Sequence, residues 1–204
     1  MTASLSADSL CLFRGDRCLF KGLDFALQES ELLVIEGPNG CGKTSLLRGI
    51  AGLLDFETGE VSWKGKLVRD DYQAFRGDLA WFAHRVGFKG DLNLAENLNF
   101  ESGLRTSSHS RRTEVLERLG LSAISSLPFR SLSAGQQRRG ALARMLLSSA
   151  KIWMLDEPLT NLDKDGQALV ITVIEEHIRN GGLCVAASHQ PLAIEGTTRR
   201  VALT

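Results

Sequence analysis

The sequence contains the stretch Gly37-Pro38-Asn39-Gly40-Cys41-Gly42-Lys43-Thr44-Ser45, whose residues up to Thr44 match the pattern G-x-x-x-x-G-K-[S/T]. An apolar run at residues 32–35 precedes it, and a helical pattern at residues 43–54 follows it. Glycines let the backbone turn without Cβ clashes, so consecutive N–H groups can converge on one anion, and a helix that begins there directs its positive end at the same point. The stretch therefore predicts a strand, a loop and a helix that together bind a nucleotide phosphate.

The residue types in and after this loop predict how the phosphates and a metal ion are held. Lys43 would contact the β- and γ-phosphates, and the Thr44 hydroxyl would bind Mg²⁺. Further along, an apolar strand at residues 152–155 ends in Asp156 and Glu157, at the edge where α/β sheets bind ligands. Asp156 would hold Mg²⁺, and Glu157 would polarise the attacking water as a general base. The alternative for this pair is a strand end with two solvated acids.

Short apolar strands alternate with helical patterns along the chain, which favours an α/β fold with a largely parallel sheet. The clearest strand patterns lie at residues 32–35, 152–155 and 183–187. Weaker strand patterns at residues 23–27 and 60–63 suggest an additional N-terminal antiparallel layer. Helical patterns cover residues 43–54, 111–119, 135–149 and 167–179.

The middle of the chain differs from its flanks because it has helical patterns and few strand candidates. We expect one domain over residues 1–204, with an α/β core formed by residues 1–85 and 151–204 and an inserted helical subdomain formed by residues 86–150. The helix at residues 135–149 is expected to carry Arg138 and Arg139 on its polar side, opposite Leu142.

Composition and charge exclude several other classes of protein. Among 204 residues, 43% are hydrophobic, which is enough to form a core, and 24 Lys and Arg balance 24 Asp and Glu. A balanced charge argues against a nucleic-acid partner. The sequence shows no apolar run long enough to span a bilayer and no secretory signal. The four cysteines, which form no C-x-x-C pair, are expected to be free thiols in a reducing cytoplasm.

A third motif connects these observations to a family. Leu132-Ser133-Ala134-Gly135-Gln136 resembles the LSGGQ signature of ATP-binding-cassette (ABC) ATPases, with Ala134 in place of the first glycine. The order of motifs also agrees, because the Asp156-Glu157 strand follows the signature, a D-loop-like stretch reaches Asp163, and Ser188-His189 resembles the switch histidine. The resemblance covers nearly the whole chain and implies a P-loop NTPase fold, namely an ABC-type nucleotide-binding domain with a RecA-like core.

The resemblance also implies roles for these residues and a pairing of subunits. ATP and Mg²⁺ would be the bound groups, and Ser133 with the Gly135 N–H would contact the γ-phosphate held by a second copy of the chain, so that two ATP molecules lie in a homodimer. His189 would hydrogen-bond the γ-phosphate and orient the water with Glu157, and Asp163 would lie at the dimer interface. The alternatives are that Ser133 is a simple N-cap and that His189 is a core histidine.

Two positions depart from the family pattern. A glutamine normally ends the strand after the phosphate-loop helix, but this sequence has no glutamine there, and spacing back from Glu96 places His84 at that position. The alternative is that coupling to the transport subunit runs through Arg85 or backbone contacts. The adenine-stacking aromatic position falls on Arg14, whose guanidinium plane could stack on the base, with Phe13 beside it as either a stacking or a core residue.

These departures resemble one subfamily, the ATPase subunits of bacterial cytochrome c maturation systems. Membership would imply a polytopic membrane partner and a peripheral position at the cytoplasmic face of the inner membrane. ATP hydrolysis would power release of a haem-loaded chaperone, so haem would be involved only indirectly. The region 86–127, including Phe88, Leu92 and Leu94, is expected to carry the docking surface for the membrane partner.

Three alternatives remain open at this point. The first is the ATPase of another small ABC transporter with a different substrate. The second is a non-transport cassette ATPase that acts on DNA or ribosomes, although the chain has no sustained heptads and only one cassette. The third is a regulatory module that binds nucleotide without hydrolysis, although Lys43, Asp156, Glu157 and His189 are all present.

Overall fold

A computed structural model describes residues 4–84, 86–102 and 109–203 of the chain. The strands in these ranges are β1 Leu5–Arg14, β2 Arg17–Leu27, β3 Glu31–Glu36, β4 Thr58–Trp63, β5 Lys66–Leu67, β6 Leu79–Phe82, β7 Ile152–Asp156, β8 Leu183–Ala187 and β9 Thr197–Ala202. The α-helices are α1 Lys43–Ile50, α2 Tyr72–Gly77, α3 Leu94–Ser102, α4 His109–Arg118, α5 Ala134–Leu147 and α6 Lys164–Arg179. Two 3₁₀ turns, Ser122–Ile124 and Phe129–Ser131, lie between α4 and α5.

The central layer is a five-stranded sheet with the strand order β6-β7-β8-β3-β9, in which every neighbouring pair is parallel. All residues of β7 and β8 are buried, as expected for strands that are covered on both faces. The predicted α/β class and its three strongest strands are confirmed. Because the strands are parallel, the segments that follow β3, β7 and β8 meet at one edge of the sheet.

A second, antiparallel sheet has the order β2-β1-β4-β5, which confirms the predicted N-terminal layer. Its strands β2 and β4 contain the predicted segments at residues 23–27 and 60–63. Between β6 and β7 the described chain forms α3, α4, the two 3₁₀ turns and α5 without a further strand.

The core lies in two layers, one on each face of the parallel sheet, because alternate residues of a strand point to opposite faces. Val34, Leu155 and Ala186 belong to the layer that packs against α5 and α6. Leu33, Met154 and Val185 belong to the layer between the parallel sheet, α1 and the antiparallel sheet. The parallel sheet is therefore packed on both faces, which fixes the points where the loops at its carboxyl edge begin.

Several predicted boundaries were wrong by a few residues, for local reasons. Helix α1 ends at Ile50 rather than at residue 54, since the chain turns at Gly52, where φ is 68° and a left-handed conformation suits glycine. Helix α6 begins at Lys164 rather than at residue 167, because Asp163 caps it by accepting a hydrogen bond from the Gly166 N–H at 2.8 Å.

The expected exposure of Arg138 was also wrong. Arg138 is only 4% exposed, although Arg139 is half-buried as a polar-face residue can be. Arg138 lies four residues before the buried Leu142, so the helical period itself places both on one face of α5. Because arginine is charged, its side chain was expected to face solvent. Instead the guanidinium donates hydrogen bonds to backbone carbonyls inside the fold.

All four cysteines, Cys11, Cys18, Cys41 and Cys184, are free thiols, as expected. Burial raises the pKa of the Cys184 thiol well above its usual range, so this group stays protonated in the core. Among the residues that the structure describes, no helix has both the length and the apolar character needed to cross a membrane.

Acidification is expected to destabilise the fold through His177. Its imidazole stacks on Trp153, with ring centroids 3.9 Å apart and planes 7° from parallel, and burial lowers its pKa to about 4. In the unfolded chain the His177 imidazole takes up a proton near pH 6.5, whereas in the folded chain it does so only near pH 4. The contribution of the neutral, buried imidazole to stability is therefore complete above pH 6.5 and is lost as the pH falls toward 4. Between pH 7 and pH 5 the loss is roughly 2 kcal/mol in the free energy of unfolding.

Urea denaturation at these two pH values checks this expectation. His177→Phe keeps an aromatic ring against Trp153 but removes the titrating group, so its loss between pH 7 and pH 5 should be smaller than that of the unsubstituted chain by roughly 2 kcal/mol. His84→Phe, which replaces an exposed histidine, is the matched control and should keep the full pH dependence. An unchanged pH dependence in His177→Phe would contradict the assignment.

Candidate functional site

A cleft of about 270 Å³ opens at the carboxyl edge of the parallel sheet. It is lined by Arg14, Leu19, Asn39, Gly40, Gly42, Lys43, Thr44, Ser45, His84, Asp156 and Glu157. The structure thus brings the glycine loop together with the acids after β7, and it adds the two positions where the sequence departs from the family pattern, Arg14 and His84.

The glycine loop between β3 and α1 has a backbone that requires glycine. At Gly37 φ is 148°, and a Cβ there would lie 2.5 Å from the Leu203 carbonyl oxygen and 2.7 Å from Cys41 Sγ. Helix α1 starts after Gly42 without a side-chain cap, and its first hydrogen bond from a backbone N–H runs from Leu46 to the Gly42 carbonyl at 2.8 Å. The first-turn N–H groups therefore form an anion site with the positive end of the helix dipole.

Lys43 lies across this loop. It is 7% exposed, and its Nζ donates hydrogen bonds to the carbonyl oxygens of Gly37 at 2.8 Å and Pro38 at 3.1 Å. Both partners are neutral, so they fix the ammonium without cancelling its charge. The loop therefore presents a positioned positive charge to an incoming phosphate.

Thr44 and Asp156 form the pair of oxygen ligands that the sequence predicts for Mg²⁺. Thr44 Oγ1 donates a hydrogen bond to Asp156 Oδ1 at 2.8 Å, and Asp156 is buried. One hydroxyl and one carboxylate fit Mg²⁺, which usually keeps several waters and binds substrate phosphate oxygens. Across the described ranges there is no group of three or more His, Cys, Asp or Glu side chains that could hold a metal ion.

Glu157 and His189 form a second pair at the mouth of the cleft. Glu157 Oε2 lies 2.6 Å from His189 Nδ1 and accepts a hydrogen bond from the His189 backbone N–H at 3.4 Å. Since Nδ1 faces the carboxylate, Nε2 on the far side of the ring faces away from it. The pair can therefore accept a proton at the carboxylate and offer a ring nitrogen to a substrate oxygen.

Arg138 is a site residue that the sequence reasoning missed. Its Nη1 donates to the carbonyl oxygens of Ala83 at 2.8 Å and His84 at 3.2 Å, and its Nη2 donates to the Glu157 carbonyl oxygen. The available signal was its four-residue spacing from Leu142, which indicated a buried face of α5.

The signature residues, 132–136, are not among the residues of the same chain that line this cleft. Ser133 caps α5, since its Oγ accepts a hydrogen bond from the Gln136 N–H at 3.2 Å and its own N–H donates to Gln136 Oε1 at 2.9 Å. Ser133 and Ala134 are exposed, whereas Leu132 is buried beneath them. Within one chain Ser133 is therefore an N-cap, which is the alternative role considered for it above. The turn at residues 133–136 faces outward.

Both positions that depart from the family pattern line the cleft. Arg14 is the last residue of β1 and lines the cleft, whereas Phe13 is 43% exposed and so is not a core residue. His84 also lines the cleft, and its side chain is exposed. The other position considered for coupling, Arg85, lies outside the described residues.

Relatives of known name match nearly the whole chain. A family model described as "ABC transporter" matches residues 20–160. The cytochrome c biogenesis ATP-binding export protein CcmA of Yersinia pestis is 42% identical over 201 residues, which is 98% of this chain and 92% of the relative. The protein of the same name from Methylococcus capsulatus is 41% identical over 204 residues, or 99% of each chain.

Solved structures agree with the fold. A putative ABC transporter ATP-binding protein from Pyrococcus furiosus has a TM-score of 0.83 at 22% identity, covering 96% of each chain. A bacterial ABC transporter cassette, solved as a dimer, has a TM-score of 0.84 at 21% identity, covering 98% of this chain and 94% of its own. These confirm the predicted ABC-type P-loop fold. Because the family model spans more than half of the chain and the relatives exceed 40% identity, the chain belongs to the ABC transporter family.

Proposed function

We propose that this chain is the ATP-hydrolysing subunit of an ABC transporter complex that acts in cytochrome c biogenesis. The observation that carries the ATPase assignment is the single cleft in which Lys43, Thr44, Asp156 and Glu157 converge at the carboxyl edge of the parallel sheet. The relatives at 41–42% identity, which are named for cytochrome c biogenesis, support the choice of pathway over other small transporters.

In the proposed reaction the triphosphate of ATP lies on the amides of the glycine loop, with Lys43 against the β- and γ-phosphates. Thr44 and Asp156 would hold Mg²⁺, which supplies charge neutralisation at the phosphate oxygens when bound. Glu157 accepts the proton of the attacking water. His189 donates a hydrogen bond to the γ-phosphate through Nε2–H, which requires protons on both ring nitrogens while Nδ1–H donates to Glu157 Oε2. The 2.6 Å contact between Glu157 and His189 supports this division of roles, because it fixes the imidazole relative to the base.

The proposal includes a homodimer in the ATP-bound state. The exposed turn at residues 133–136 carries Ser133 and the Gly135 N–H at the start of α5, where a helix N-terminus favours an anion. A second copy of the chain would bring this turn to the γ-phosphate in the cleft. The D-loop stretch that leads to Asp163 passes this turn, since a Cβ on Gly135 would be 3.9 Å from the Asn161 carbonyl oxygen, and this supports a place for the D-loop at the interface. The structural relative described as dimeric supports the pairing of two copies.

A polytopic membrane subunit is the second proposed partner, docked on residues 86–127. Leu94 does not belong to that surface, because it is fully buried, and Phe88 packs edge-on against Phe129 with ring centroids 4.9 Å apart. In the described part of this region, the large apolar side chains that are exposed are Phe100, at 58%, and Leu127, at 45%. We therefore propose Phe100 and Leu127 as docking contacts.

The remaining features follow from this role. The chain acts as one domain, with residues 86–150 as the helical subdomain that connects the membrane subunit to the α/β core. It is peripheral, at the cytoplasmic face of a bacterial inner membrane, and meets haem only indirectly through the complex. Its balanced charge of 24 cations and 24 anions gives nucleic acid no general attraction.

The test is purification of the tagged chain together with its membrane partner, followed by identification of that partner and measurement of ATP turnover. A partner from cytochrome c biogenesis and Mg²⁺-dependent ATP hydrolysis, stimulated in the complex, are expected. A partner that belongs to an importer with a solute-binding protein would overturn the pathway, and nucleotide binding without turnover in the complex would overturn the ATPase.

The same complex tests the proposal that His84 replaces the usual glutamine. His84→Ala is expected to lower the stimulated ATP turnover by about 10-fold, the value of one hydrogen bond to a charged group, while the Kd for ATP changes little. His84→Gln, which restores the residue that the family usually carries, should retain more of the stimulated rate than His84→Ala. Equal losses of turnover and of ATP binding in His84→Ala would contradict the role.

A further inference from the structure

We infer that Arg138 is a positioning residue that ties the signature helix α5 to the backbone of the catalytic Glu157. The inference rests on the proposed ATP hydrolysis and adds to it a residue outside the glycine loop and the strand-end acids. The observation that carries it is one guanidinium that bonds two separate segments of the site, residues 83–84 and residue 157.

The contacts of Arg138 make it a junction of three elements. The side chain leaves α5, its Nη1 bonds the carbonyls of Ala83 and His84 just after β6, and its Nη2 bonds the carbonyl of Glu157 just after β7. The guanidinium also stacks on the Phe82 ring, 4.4 Å from its centroid. Only a planar fork with several donors can meet carbonyls on both segments, which a lysine ammonium cannot do with the same geometry.

The Glu157 backbone is the part of the site that needs this support. Its φ is 52°, a left-handed conformation that disfavours side chains with a Cβ by roughly 1 kcal/mol or more. Three hydrogen bonds hold the peptide groups on either side: the Glu157 N–H donates to the Ala187 carbonyl at 2.9 Å, and the Glu157 carbonyl accepts from Arg138 and, at 3.3 Å, from the Thr160 N–H. The Thr160 bond lies within the local turn, so Arg138 is the donor that ties this carbonyl to α5. Without the Arg138 bond residue 157 can relax, and its carboxylate then moves relative to His189 and the cleft.

Burial and charge are consistent with a fixed cation at this junction. Burial lowers the pKa of Arg138, while the Asp156 and Glu157 carboxylates raise it. Arginine remains charged in proteins, so the cation stays in place beside the catalytic acid. The guanidinium is only 4% exposed, and the cost of its burial is offset by hydrogen bonds to three carbonyls and by the attraction of the two carboxylates.

The helix that carries Arg138 also carries the signature turn at its N-terminus. A shift of α5 therefore moves the donor that holds Glu157 and, through Ala83 and His84, the segment that leads from the cleft into residues 86–102. One side chain thus couples the position of α5 to the position of the base, which a purely local N-cap or glycine loop does not provide.

Arg144 offers a matched control on the same helix. Its Nη2 donates to the Trp81 carbonyl at 3.0 Å, and its guanidinium lies 5.3 Å from the Phe88 ring centroid. Arg144 thus also links α5 to β6, through the Trp81 carbonyl, and contacts the Phe88 ring, whereas Arg138 donates to the Glu157 carbonyl.

The experiment compares Arg138→Met, Arg138→Lys and Arg144→Met in the full chain, by steady-state phosphate release and by the Kd for ATP. Arg138→Met should lower kcat by about 100-fold, the effect of a base displaced by about 1 Å, with the Kd for ATP within about 3-fold of the parent value. Arg138→Lys should lower kcat by about 10-fold or more, since it keeps the charge but not the fork. Arg144→Met should keep kcat within about 3-fold.

The positioning role of Arg138 is overturned if a folded Arg138 variant keeps the parent kcat, if kcat and ATP affinity fall together, or if Arg144→Met loses as much turnover as Arg138→Met. Should Arg138→Met fail to fold, Arg138→Lys alone decides by the same criteria. An absence of hydrolysis in the unsubstituted chain and in its membrane complex would instead remove the proposed ATPase function, which is a separate result.

Discussion

Glu157→Gln is expected to abolish ATP turnover and to leave ATP binding intact. The amide keeps the shape of the side chain but cannot accept the proton of the attacking water, and general-base catalysis of this kind contributes about 1,000-fold. The backbone bonds of residue 157, to Ala187 and Arg138, do not involve the side chain, so the site should keep its geometry. Phosphate release and the Kd for ATP, measured on the same preparation, check both parts.

Glu36→Gln is the matched control for this variant. Glu36 also lies at the carboxyl end of a strand of the parallel sheet, β3, but its carboxylate pairs with Arg200 on the neighbouring strand. Its substitution should leave turnover within about 3-fold, since exposed ion pairs contribute little. More than a tenth of the parent turnover in Glu157→Gln would contradict the general-base role, and a parallel loss of ATP binding would show that the amide has disturbed the cleft.

Three strands of the parallel sheet, β3, β7 and β8, could be predicted because burial on both faces leaves a continuous apolar run, as in residues 183–187. Edge strand β9 could not be predicted in this way. It reads Thr-Thr-Arg-Arg-Val-Ala and is mostly exposed, and it is fixed by pairing with β3 rather than by its own pattern. A strand that is stabilised mainly by hydrogen bonds to its neighbour leaves little signal in its own sequence.

The candidate site was predictable where chemistry demands a residue type at a fixed spacing, as in the glycine loop and the acids after β7. Arg138 was missed because its role is to donate to backbone carbonyls, and carbonyls carry no sequence signal. Leu94 was misplaced for the opposite reason, since an apolar residue in a region expected to dock a partner is packed in the core instead. Both errors concern tertiary contacts between segments distant in sequence.

Lys43→Met is expected to weaken ATP binding by about 100-fold. The parent ammonium is already fixed by the Gly37 and Pro38 carbonyls, so little ordering of the side chain is needed when phosphate arrives. Methionine keeps the length and apolar stem of the residue but removes the charge and its hydrogen bonds to phosphate. A loss of charge-assisted bonds on this scale is about 2.7 kcal/mol, which is 100-fold in Kd.

Thermal unfolding with and without ATP measures this loss, since a ligand at about 100 times its Kd stabilises the folded state by about 2.7 kcal/mol. Lys164→Met is the matched control, because Lys164 is the first residue of α6 as Lys43 is of α1, yet it is exposed and follows a helix cap. At ATP concentrations of about 100 times the parent Kd, the ATP-induced stabilisation should fall from about 2.7 to about 0.4 kcal/mol in Lys43→Met, so that the rise in Tm shrinks to about a seventh, and the full rise should persist in Lys164→Met. A rise of parent size in Lys43→Met would mean that the amides of the glycine loop hold the phosphates without the lysine, and that the buried ammonium serves only to brace the loop.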